Sequence, residues 1–212
     1  GEFSGKERGP QVLPAVIEHI MDKTGFEKIN YIGHSEGTTQ VMAGAALVPD
    51  FYKEHMNLCV MLAPPASMKN NQVKLMNLLS KKANRVIIEN LADTLHFWNI
   101  LPYNYLNSGS GVLFCKLFDG KLCNFVMSLF ADLDPTIDYS ERYDVYMSNL
   151  PSGSTYRNYA HYGQLIDVPT ETFRRYDYES KAKNQEKYGQ PVPPNYDLSL
   201  LDFPIAILNG SQ

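Results

Sequence analysis

Tyr31-Ile32-Gly33-His34-Ser35-Glu36-Gly37-Thr38-Thr39 is the stretch on which the reading of this chain turns. It has the form Gly-x-Ser-x-Gly. In a nucleophile elbow of that form a strand runs into a turn so tight that the serine takes a strained backbone conformation and a helix starts at once, which leaves the hydroxyl exposed at the sheet edge. Both glycines are expected because a Cβ at either position would strike the neighbouring strand or helix. The pattern alone says little, since average glycine and serine usage produces it in roughly one unrelated chain of this length in fifteen. Its surroundings decide.

Lys28-Ile29-Asn30-Tyr31-Ile32 before it reads as a short strand, and Thr38 to Leu47 after it is a proline-free run of small and apolar residues that suits a helix. Alanine and glycine at 43 to 46 let that helix lie close to a sheet. Upstream, Leu13, Val16, Ile17, Ile20 and Met21 fall at i, i+3, i+4, i+7 and i+8, with Gly25 as a C-terminal stop, a helix laid on a sheet. Downstream, after a polar turn at Pro49-Asp50, Leu58-Cys59-Val60-Met61-Leu62-Ala63 ends at Pro64-Pro65. A continuous apolar run of that length suits a strand buried on both faces. Residues 28 to 63 thus form a βαβ crossover, with Ser35 at the carboxyl end of its first strand, the edge where open α/β sheets bind ligands.

Beyond Pro65 the texture changes. Gln72 to Ser80, Arg85 to Phe97, Leu113 to Leu133 and Thr155 to Ile166 carry apolar residues at helical spacing. They are separated by Pro102, the Asn107 to Gly111 cluster, Asp134-Pro135 and Pro151-Ser152-Gly153. A last strand spans Phe203 to Leu208. The fold class is α/β: a parallel sheet with flanking helices, assigned to residues 1–66 and 195–212, interrupted by a large helical insertion at 67–194. A helical insertion at the catalytic edge suits an enzyme with a greasy substrate, because it can exclude water and bind acyl chains.

Composition narrows the function. The chain has 212 residues, 44% of them hydrophobic, and a formal charge of -4, enough for a sizeable core and opposed to a nucleic-acid surface, since no basic run is interleaved with aromatics. No apolar run approaches the ~18 residues of a membrane span. The start, Gly1-Glu2-Phe3-Ser4-Gly5, has neither an initiator methionine nor a signal peptide, and reads as a chain that begins inside a longer protein. Asn209-Gly210-Ser211 matches a glycosylation acceptor, but its place at a strand end argues against use.

Cys115 and Cys123 flank a turn that could bring them together, either as a bridge or as two reduced core thiols; Cys59, mid-strand, is a packing residue. Without a second cysteine pair or clustered histidines there is no metal site. Among the histidines, His19 lies on the polar side of its helix, His34 within the elbow and His55 in a polar turn, while His96 and His161 belong to the insertion. None is well placed as a base, which on such a sheet follows the serine and an acid in chain order.

With these segments in view the chain resembles the acid lipase family of α/β-hydrolases, the gastric and lysosomal acid lipases. The resemblance is carried by Leu13-Pro14-Ala15, Lys23-Thr24-Gly25, the elbow and Leu62-Ala63-Pro64. In the insertion it is carried by Arg142-Tyr143-Asp144-Val145-Tyr146, Pro151 to Thr155, Asn158, His161 and Gln164, and Tyr176-Asp177-Tyr178. Tyr188-Gly189-Gln190, Pro193-Pro194-Asn195-Tyr196, Pro204-Ile205-Ala206 and Asn209-Gly210 complete it. Glu36 stands where family members usually have glutamine, and Gln11-Val12 where Tyr-Asp is usual.

The resemblance implies that Ser35 is the nucleophile and that the backbone N–H of Glu36 is one oxyanion-hole donor. It further implies that residues 67–194 are the helical cap, with Cys115–Cys123 as its disulfide. The catalytic aspartate would follow directly after Gln212, the histidine later, and the second oxyanion donor would lie upstream of Gly1. The implied protein is a secreted or lysosomal serine lipase that meets a lipid interface, hydrolyses neutral lipid esters such as acylglycerols or sterol esters, and needs no cofactor. Two alternatives remain: another acyl-transfer enzyme on the same elbow, or a lipase-like protein without activity that binds lipid through the cap.

Overall fold

The computed structural model describes residues 11–96, 99–100, 105–116, 123, 142, 145–146, 148–149 and 152–210. Expectations on residues 1–10, 97–98, 101–104, 117–122 and most of 124–151 lie outside these. The chain divides into two compact units, one of Asn70–Asp167 and one of Glu2–Lys69 with Val168–Gln212. Residues 168–194, grouped by the sequence reading with the insertion, cluster here with the sheet.

The sheet unit opens with α1 (Leu13–Thr24), which has Pro14 in its first turn and stops where Gly25 adopts φ 75° and returns its N–H to the Met21 carbonyl at 2.8 Å. That left-handed conformation is easy for glycine and strained for residues with a Cβ. The expected apolar stripe is only partly buried. Ile17 is 1% exposed, whereas Val16 is 47% and Ile20 40% exposed. The covered line is Leu13, Ile17 and Met21, one residue per turn, because α1 meets the next helix along a narrow strip.

β1 (Ile29–His34), α2 (Glu36–Leu47), α3 (Pro49–His55) and β2 (Met56–Leu62) form the expected crossover, and β5 (Ile205–Leu208) completes a parallel sheet of order β1-β2-β5. Tyr31 lies beside Cys59 and Cys59 beside Ile205; Gly33 lies beside Met61 and Met61 beside Ile207. The small residues of α2 do what their size suggests, with Thr38, Thr39 and Val41 to Ala45 all buried. Pro49-Asp50 is not a turn but the start of α3, a helix that proline can open because the missing N–H has no helical acceptor there. It buries Tyr52 completely. The sheet is less enclosed than the continuous apolar run of β2 suggests, since Leu58 on the side away from Tyr31 is 37% exposed.

The remainder of this unit is loop-rich. An Arg174–Asn195 bridge links its two arms. Between them α8 (Lys181–Tyr188) is capped by Ser180, whose side chain accepts from the Lys183 N–H, and ended by Gly189 at φ 73°. Asn184, buried, ties this loop together by accepting from the Tyr178 N–H and donating to Asp177 and the Pro191 carbonyl.

The other unit contains α4 (Lys74–Ser80), α5 (Lys82–Thr94), α6 (Tyr105–Lys116), α7 (Tyr156–Ile166) and a two-residue antiparallel pair, β3 (Asn99–Ile100) with β4 (Ser154–Thr155). α7 packs against α4 and α5, with Leu165 fully buried. The buried Arg85 guanidinium donates to the carbonyls of Ser80 and Gly163 and to Asp167 Oδ2. Cys115 and Cys123 are joined in a disulfide, Cα to Cα 4.7 Å, and Cys59 is a free buried thiol. The Asn107–Gly111 cluster does not break the chain: α6 runs through it.

Candidate active site

β1 delivers the chain to Ser35 and α2 starts at the next residue. Ser35 has φ 49° and ψ -114°, outside the ordinary wells of a residue with a Cβ, and such a conformation persists only where neighbours over-determine it. They do so from both sides. The Ser35 N–H donates to the Leu62 carbonyl on β2 at 3.0 Å. The Ser35 carbonyl accepts from the Thr38 N–H at 3.0 Å, from the Thr39 N–H at 3.4 Å and from Thr38 Oγ1 at 2.6 Å. Ser35 itself is exposed, so its hydroxyl is accessible at the carboxyl edge of the sheet.

The two motif glycines are not equivalent. A Cβ on Gly33 would lie 2.8 Å from Tyr31 Cε1, 3.0 Å from the Gly37 carbonyl carbon and 3.1 Å from the Thr38 nitrogen, of which the latter two are backbone and cannot swing aside. A Cβ on Gly37 would meet only Tyr31 Oη, at 3.4 Å, an ordinary contact. The close approach of strand to helix therefore explains Gly33 and not Gly37, contrary to the expectation that both are sterically required.

Glu36 occupies the first turn of α2, where its carboxylate is favourably placed at the positive end of the helix and accepts from Gln40 Nε2 at 3.3 Å. Its backbone N–H belongs to the residue after the serine, as an oxyanion donor would. His34 closes β1, is exposed, and lies in register with Leu62. On the next strand Ala63 also has φ 49°, and its N–H donates to the Leu208 carbonyl at 2.8 Å. The ends of β1 and β2 thus each carry a non-glycine residue at positive φ, side by side on one sheet edge. Nothing in the sequence signals Ala63, because alanine is not a residue chosen for that conformation.

Burial weakens the acids around the site. The Tyr31 hydroxyl is pushed above its ordinary value by burial and then by the Cys59 thiol, and burial pushes the Cys59 thiol up to about 11. Among the described residues no cluster of histidine, cysteine or carboxylate side chains could hold a metal ion, and no helix is long and apolar enough to cross a membrane. In the other unit His161 is buried on α7, while His96, at positive φ after α5, places Nδ1 3.0 Å from the Asp93 carbonyl.

Comparison with known proteins agrees with this geometry. Residues 8–114 match the alpha/beta hydrolase fold family. The chain is 33% identical to the gastric triacylglycerol lipase of Mus musculus and 34% identical to lipase member N of Mus musculus, in each case over 99% of this chain and 51% of the relative. Against the gastric triacylglycerol lipase of Homo sapiens the identity is 29%, over the same shares. The chain therefore spans about half the length of the curated relatives it matches. A strained serine between strand and helix, the parallel sheet that holds it and likeness along nearly the whole chain lead to one assignment: the chain belongs to the alpha/beta hydrolase fold family, as an acid-lipase-like member.

Proposed function

We propose that this chain carries the nucleophile of an ester hydrolase acting on neutral lipid esters, acylglycerols or sterol esters, and that Ser35 is that nucleophile. The observation that carries the reading is the strained, exposed Ser35 at the junction of β1 and α2. Likeness to proteins named as triacylglycerol lipases supports this choice of substrate class. In the reaction Ser35 Oγ adds to the ester carbonyl carbon, its proton passing to a histidine of the complete protein. The tetrahedral oxyanion is held by the Glu36 N–H and a second donor from upstream. The alcohol leaves with a proton, and water then cleaves the acyl-serine to release the acid and restore the hydroxyl. The helical unit of residues 70–167, with the Cys115–Cys123 bridge, serves as the cap for the acyl chain, and the enzyme works in a secreted or lysosomal setting at a lipid interface.

The test uses protein expressed from the complete reading frame, assayed on a long-chain triacylglycerol emulsion. Removing the nucleophile of a comparable triad lowers turnover on the order of 10⁶-fold, so Ser35→Ala should be inactive while melting like the parent. Undiminished hydrolysis by that variant would refute the assignment.

A further inference from the structure

Tyr31 lies two residues before Gly33 on the face of β1 that meets α2. Its ring occupies the place a Gly33 Cβ would need, with Cε1 2.8 Å from that position. Its hydroxyl reaches past the serine and donates to the Gly37 carbonyl at 2.9 Å. One side chain thus touches the residue two before Ser35 and the residue two after it. A carbonyl oxygen has two lone pairs, so the Gly37 carbonyl can take this bond without losing its helical one. The bond crosses from the last turn of strand to the first turn of helix, where the Ser35 backbone is strained.

We propose that Tyr31 is the positioning residue of the elbow: by filling the space beside Gly33 and tethering the Gly37 carbonyl, it fixes the first turn of α2 against β1 and so sets where the Ser35 hydroxyl points. The proposal rests on Ser35 being the nucleophile. Four bonds hold Ser35 itself, but they differ in kind. The Leu62 carbonyl holds the serine to the sheet, and Thr38 and Thr39 hold it to its own helix. The Tyr31 hydroxyl instead joins strand to helix across the serine, the motion that would swing Oγ.

Phenylalanine keeps the ring over Gly33 and removes only the tether. In protein from the complete reading frame, on a soluble short-chain ester, Tyr31→Phe should lower kcat about tenfold, since a displacement near 1 Å can reduce turnover by ~100-fold, with KM within about twofold. The rate of fluorophosphonate labelling at Ser35, counted per folded molecule, should fall by the same factor. Gly25→Ala serves as the stability control, because it strains the end of α1 without touching the elbow. It should lower the melting temperature at least as much as Tyr31→Phe and leave kcat unchanged. If Tyr31→Phe keeps the parent kcat and labelling rate while Ser35→Ala is dead, the positioning role is refuted and the nucleophile stands. If Ser35→Ala is as active as the parent, the nucleophile reading falls and the positioning role falls with it.

Discussion

Ser35 and Leu62 are joined by a backbone hydrogen bond of 3.0 Å, from the N–H of one to the carbonyl of the other. The β1–β2 ladder therefore continues one residue past the end of β1, into a serine whose φ is 49°. The same step recurs on the next strand, where Ala63 at φ 49° donates to Leu208 at 2.8 Å. Both strands hold their strained residue by its N–H and turn its side chain out of the sheet's regular alternation. Two backbone hydrogen bonds thus hold the edge at the place where the proposed nucleophile stands.

The inequality of the glycines gives a direct test. Gly33→Ala should destabilise by about 2–3 kcal/mol, the upper range for inserting a methyl where backbone cannot yield. Gly37→Ala should be neutral or stabilising by up to about 1 kcal/mol, because alanine is the better helix former and its Cβ meets only Tyr31 Oη at 3.4 Å. Urea denaturation of the two variants checks this, and equal losses would contradict it.

The three cysteines should separate by chemistry. An unreduced digest should yield the Cys115 and Cys123 peptides linked, with Cys59 alkylated only after denaturation. Burial raises the Cys59 thiol from an ordinary 9.0 to about 11, so the folded state holds its proton more tightly than the unfolded chain. Its contribution to stability is whole below pH 9 and is lost as pH rises through about 11. Tyr196, raised by burial to about 12, acts in the same direction. Denaturation midpoints measured from pH 8 to 11 should fall, and Cys59→Ala should flatten that fall.

Much of the sheet unit was legible in the sequence because its signals are local. The apolar run at β2, the Gly-x-Ser-x-Gly stretch between a strand-like and a helix-like segment, and the small residues of α2 are each read from their immediate neighbours in the chain. Elements whose stability comes from elsewhere were not legible. α8, Lys-Ala-Lys-Asn-Gln-Glu-Lys-Tyr, has no apolar stripe and depends on the Ser180 cap, the Gly189 stop and the Asn184 side chain. α3 was hidden by Pro49, which reads equally as a turn, and α6 by the glycines it runs through. On the edge, Ser35 was visible from its motif, whereas the tether from Tyr31 to Gly37 and the strain at Ala63 arise from tertiary approach.

Arg85 in the helical unit offers another check. Its guanidinium is buried and bonds to two carbonyls and to Asp167, whose own side chain is 39% exposed. Breaking a fully buried pair takes about 3–5 kcal/mol, and the exposure of Asp167 reduces that here to about 2–3 kcal/mol for Arg85→Ala. Arg85→Lys should recover less than half, because all three bonds run from Nη1 at the far end of the guanidinium, and a lysine side chain ends one bond short of that point. Full recovery by lysine would mean that charge alone matters at this position.

The central claim is that Ser35 is a nucleophile held ready by its backbone. Its most direct measurement is mass spectrometry of protein from the complete reading frame after treatment with a fluorophosphonate probe. The expected result is a single adduct on the peptide containing His34-Ser35-Glu36, absent in Ser35→Ala and abolished by prior denaturation. An unlabelled Ser35 in a protein that hydrolyses lipid esters, or an adduct that persists in Ser35→Ala, would contradict it.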